Sequence, residues 1–85
     1  MIFGGDAMNR YYIYVTVRNK AGVLNRITSI FSRLCININS LNLSGTDSGE
    51  FAKISFGYSC TPKENSILIG IIAKVYDVCS VEEII

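Results

Sequence analysis

With 85 residues the chain has room for one domain, and a lone domain of this size hides only about 60–65% of its unfolded surface. A net charge of +1 and a charged fraction of 18% argue against the concentrated basic face of a nucleic-acid binder, and the lack of histidine removes the usual general base. Hydrophobic residues make up 49%, more than so small a core encloses, which points to burial against another chain, first of all a second copy.

No apolar run approaches the roughly 20 residues that span a bilayer. Residues Met1 to Met8 lack the charged head and apolar stretch of a secretory signal. With Gly4-Gly5-Asp6 they read as part of a flexible leader over 1–9, followed by one domain over 10–85. Cys35, Cys60 and Cys79 are odd in number and widely spaced. They match neither a disulfide framework nor a zinc pattern, and the expectation is buried small hydrophobes in a reducing cytoplasm.

The first element is a strand. Tyr11, Ile13, Val15 and Val17 alternate with Tyr12, Tyr14, Thr16 and Arg18. A tight loop, Asn19-Lys20-Ala21-Gly22, precedes an amphipathic helix whose apolar positions are Val23, Leu24, Ile27, Phe31 and Leu34. Cys35 stands where a left-handed helix exit is expected. Ile36, Ile38, Leu41 and Leu43 then mark a second strand, and their apolar phase shifts between Ile38 and Leu41, as a bulge would require. Ser44 to Gly49 is a polar turn, so the third strand, with Ala52, Ile54, Phe56 and Tyr58, forms a hairpin with the second. Thr61-Pro62-Lys63-Glu64 predicts a helix start with a capping box, and Ile67, Leu68, Ile71 and Val75 are its expected buried face. Tyr76 to Val81 supplies a last strand.

The order β-α-β-β-α-β predicts an α+β, ferredoxin-like sandwich: a four-stranded antiparallel sheet with two helices on one face. Tyr12, Tyr14 and Phe51 are expected on the bare face.

Nothing predicts catalysis. The carboxylates fall mostly in the leader, turns, a helix cap and the tail, and are expected to be solvated. The first loop lacks the paired thiolates that metal chaperones of this topology use, so no metal and no cofactor is expected. RNA binding on the open face would draw on Tyr12, Tyr14 and Phe56, but the basic surround is missing. The first strand-helix junction is the candidate site. Free amides and the helix dipole favour a small anion there, and Gly22 lets it approach the backbone beside Asn19.

The stretch Asn19-Lys20-Ala21-Gly22-Val23-Leu24-Asn25-Arg26-Ile27, with Ile30-Phe31-Ser32-Arg33 and Ile36-Asn37-Ile38-Asn39-Ser40-Leu41, resembles the N-terminal ACT domain of the acetolactate (acetohydroxyacid, AHAS) synthase small subunit. Lys74-Val75-Tyr76-Asp77-Val78 resembles the same family ahead of its last strand. The resemblance implies a non-catalytic regulatory subunit that binds a branched-chain amino acid, valine first, and controls an acetolactate synthase catalytic subunit in the cytoplasm. It also implies a homodimer joined edge to edge through the sheets. Asn19, Lys20, Ala21, Gly22, Val23 and Leu24 of one copy would face Asn37 and Ile38 of the other, the amides of Gly22 to Leu24 holding the effector carboxylate. An ACT sensor of another small ligand, or a ligand-free dimerisation module, is the alternative implied by the fold alone.

Overall fold

The computed structural model describes residues 8–45 and 49–84. The elements are β1 (Asn9–Arg18), α1 (Val23–Arg33), β2 (Ile38–Gly45), β3 (Phe51–Cys60), α2 (Pro62–Ala73) and β4 (Val78–Ile84). They build the expected βαββαβ sandwich, with one antiparallel sheet in the order β2-β3-β1-β4. The leader expected over 1–9 falls largely outside the described residues, as does most of the turn after Ser44; β1 itself begins at Asn9.

Alternation in β1 does what period two requires. Ile13, Val15 and Val17 are buried, while Tyr12 and Tyr14 lie on the bare face. Their partners across the ladder, Phe56, Ile54 and Ala52, are buried too, because directly opposed residues share a face. Phe56 therefore belongs to the core and not to the open face, which corrects its expected place among the stacking positions there. Phe31 of α1 closes over β3, 4.9 Å from the Phe56 ring and edge-on to Tyr58 at 5.2 Å.

The shift of apolar phase in the second strand is a bulge. β2 loses register against β3 between Ile38 and Ser40. Leu41 and Leu43 oppose Phe56 and Ile54, so they sit on the helix-bearing face, yet Leu43 is 56% exposed. β2 is an edge strand, and α1 does not cover its far side.

Three expectations are corrected. In α2 the core takes Asn65, Leu68 and Ile72, while Ile67 and Ile71 are exposed at 44% and 40%. Residues 67–72 read Ile-Leu-Ile-Gly-Ile-Ile, so the helix has no polar side there to set its phase. Asn65 reports the actual rotation: its buried Oδ1 accepts a hydrogen bond from the Tyr58 hydroxyl. Burial holds that phenol in its neutral, donating form, well above the usual tyrosine range. The last strand runs later than Tyr76–Val81, because residues 74–77 form a turn closed by Val78 N–H to the Val75 carbonyl at 3.0 Å. Tyr76 in that turn is 82% exposed. Of the cysteines only Cys60 is buried; Cys35 lies at the exit of α1 and Cys79 in edge strand β4, both exposed.

Candidate functional site

β1 delivers the loop Asn19–Gly22 to the start of α1. Gly22 is the N-cap with φ 86°, a left-handed conformation that glycine adopts without a Cβ penalty, and nothing within 4 Å crowds its open side. No side chain among the described residues caps α1, and its first turn holds no acidic residue. The second helix differs. Thr61 Oγ1 accepts from the Glu64 amide at 3.2 Å, and Glu64 Oε1 accepts from the Thr61 amide at 2.9 Å. One helix N-terminus is closed by its own side chains, and the other is left open to an anion.

Both flanks of the loop are tied. On the β3 side, the Asn19 amide N–H donates to the Glu50 carbonyl at 2.9 Å and its side-chain Nδ2 donates to the Gly49 carbonyl at 3.1 Å. That leaves the Asn19 Oδ1 as an acceptor for a ligand donor. On the β4 side, Arg18 N–H donates to the Asp77 carbonyl at 2.8 Å, and Lys20 Nζ lies 3.7 Å from Asp77 Oδ1. Asn19, Lys20, Ala21 and Gly22 are exposed and Leu24 is half-buried. The Val23 side chain is in the core and its N–H donates to the Lys20 carbonyl at 3.4 Å, so this residue shapes the turn into α1 rather than offering a ligand a free group.

Asn37 is exposed and Ile38 half-buried at the other end of α1. An 11-residue helix is about 16 Å long, so one copy of the chain does not bring Asn19–Leu24 and Asn37–Ile38 together. The turn into Asn37 is well made. Cys35 takes φ 59°, the Cys35 N–H donates to the Ser32 carbonyl at 3.0 Å, and the Ile36 N–H donates to the Phe31 carbonyl at 2.9 Å. Those two bonds are the Schellman pair, with a cysteine in the place usually given to glycine.

Sequence reasoning missed Asp77, which was expected among the solvated carboxylates. It is 8% exposed, and its Oδ1 is buried without a hydrogen-bond donor among the described residues. On the bare face, Lys53 Nζ covers the Tyr14 ring at 4.4 Å, so one of the two exposed aromatics there is already occupied. Among the described residues no group of three or more His, Cys, Asp or Glu side chains is gathered, and no helix is long and apolar enough to cross a membrane.

Comparison with known proteins gives this geometry its context. A family model described as the AHAS small subunit-like ACT domain matches residues 13–80. The chain is similar to the acetolactate synthase small subunit of Bacillus subtilis (strain 168), 41% identical over 44 residues that make up 52% of this chain and 26% of that protein. Among solved structures, the ACT domain from GTP pyrophosphokinase of Chlorobium tepidum superposes with a TM-score of 0.77 at 22% identity, covering 92% of this chain and all of that one. The acetolactate synthase small subunit from Thermotoga maritima superposes with a TM-score of 0.78 at 19% identity, over 88% of this chain and 47% of that one. At these identities the structural likeness is one of fold.

Proposed function

The chain belongs to the AHAS small subunit-like ACT domain family, and on that premise we propose that it is a non-catalytic regulatory module that binds a branched-chain amino acid, valine first, and controls an acetolactate synthase catalytic subunit. The observation that carries the reading is the uncapped N-terminus of α1. Its amides and dipole suit a carboxylate, and the Asn19 side-chain carbonyl, in the loop that leads into it, offers an acceptor to an ammonium group. An α-amino acid carries both. The half-buried Ile38 would meet an aliphatic side chain, supplied from a second copy because Asn37 and Ile38 are remote in the same chain.

Edge strand β2 is where that second copy docks. Its backbone has an unpaired side, and Leu41 and Leu43 extend the helix-bearing apolar face past α1. The mature role needs no cofactor and belongs to the cytoplasm, where the catalytic subunit works.

The test is calorimetric titration with valine, leucine, isoleucine and unrelated amino acids. Valine or a close relative should bind the wild type. Gly22→Asp should abolish the response, since it places a carboxylate where the ligand's belongs. Gly22→Ala, which adds only a methyl group to open space, costs about 1–2 kcal/mol of stability for the left-handed backbone and should retain binding. Retained valine binding in Gly22→Asp would remove the proposed site. A response confined to another amino acid would make the chain a different ACT sensor.

A further inference from the structure

The loop at the head of α1 rests against a buried carboxylate that the ligand chemistry does not use. Asp77 lies in the turn ahead of β4, 8% exposed, with Oδ1 wholly enclosed and without a hydrogen-bond donor among the described residues. Its nearest compensation is the Lys20 ammonium at 3.7 Å, on a side chain that is itself 61% exposed. A carboxylate removed from water is costly unless a charge or donor answers it. That cost falls whenever Lys20 stays over Asp77, and Lys20 stays there only while the loop keeps its shape. The backbone reinforces the arrangement, since the Asp77 carbonyl accepts from Arg18 N–H, one residue before the loop.

Resting on the proposed effector site, we infer that Asp77 is a positioning residue, which acts through Lys20 to hold the Asn19–Gly22 loop in the conformation that presents the open end of α1 to ligand. The opposite flank is fixed by Asn19 to Gly49 and Glu50, so the pair is the β4-side anchor of a loop tied on two sides. Losing it leaves the fold in place and lowers the fraction of molecules whose loop is competent. Apparent affinity falls by that fraction.

The experiment is amide hydrogen exchange by NMR on the 85-residue chain, read at Asn19, Lys20 and Val23, whose N–H groups donate to the Glu50, Arg18 and Lys20 carbonyls. Wild type is compared with Lys20→Met, Asp77→Asn, the double variant and Lys20→Arg, with amino-acid affinity measured on each. Lys20→Met and Asp77→Asn should each speed exchange at these amides on the order of fivefold while core amides in β1 and β3 are unchanged. The double variant should be no faster than either single one, Lys20→Arg should restore protection, and affinity should weaken by a comparable factor. Unchanged loop protection in both single variants overturns the inference. So do additive effects in the double variant, or faster exchange with unaltered affinity. If Asp77→Asn fails to fold, Lys20→Met against Lys20→Arg decides alone, because Lys20 is a surface side chain. A wild type that binds no amino acid ends the effector reading, while the exchange rates still decide whether the pair holds the loop.

Discussion

Cys35 holds φ 59° without being a glycine, and the two hydrogen bonds around it show why the backbone accepts that cost. Each satisfies a carbonyl at the end of α1 that would otherwise lack a donor. A left-handed residue with a Cβ is disfavoured by about 1–2 kcal/mol, and glycine returns part of that as extra freedom in the unfolded chain. Cys35→Gly should therefore stabilise the protein by about 0.5–1 kcal/mol, seen as a higher urea midpoint at an unchanged slope. An equal or lower midpoint would mean that the thiol makes a compensating contact. This position was legible in the sequence, since the helical period stops at Leu34 and the next strand needs a reversal. Asp77 was not legible, because a lone aspartate before a strand looks the same whether it faces water or lies under a lysine.

At the scale of elements, legibility followed periodicity. β1 and α1 have one apolar and one polar side, and their buried residues matched the expected faces, with Ile30 added to α1. β2 showed its bulge in advance as a slip in alternation. α2 failed the same treatment because residues 67–72 contain no polar side chain to mark its outside. Its start was nonetheless found, because a capping box is a local signal that needs no tertiary context. The corrected rotation has a direct consequence for neighbouring isoleucines. Ile72→Ala empties a fully buried position and should cost about 2–5 kcal/mol, whereas Ile71→Ala should stay within about 0.5 kcal/mol. Chemical denaturation of the two variants checks this, and equal costs would return the helix to the rotation read from sequence.

For the whole molecule, the order of elements carried the sandwich and the resemblance of the Asn19–Leu41 and Lys74–Val78 stretches carried the family, but the candidate site was legible only in part. The open helix start could be read from a glycine loop, while the tie from Asn19 to Gly49 joins residues 30 positions apart and had no sequence signal. Nor does a single sequence show that Leu43 remains exposed on the helix-bearing face; that follows from β2 lying at the edge. Leu43→Lys should leave the protomer folded and convert the proposed dimer to monomer in sedimentation equilibrium. A variant that sediments like the wild type would place the interface elsewhere.

The length of α1 sets a final consequence. Its 11 residues, about 16 Å from end to end, stand between the Asn19–Leu24 and Asn37–Ile38 ends, so a site that uses both is owned by no single copy. Ligand binding and subunit association are then one equilibrium, and a fixed amount of amino acid occupies a smaller share of sites as the protein is diluted. If the proposed shared site holds, the chain would read its own abundance along with that of the ligand, and at scarce subunit levels it would fall silent in the presence of ample ligand.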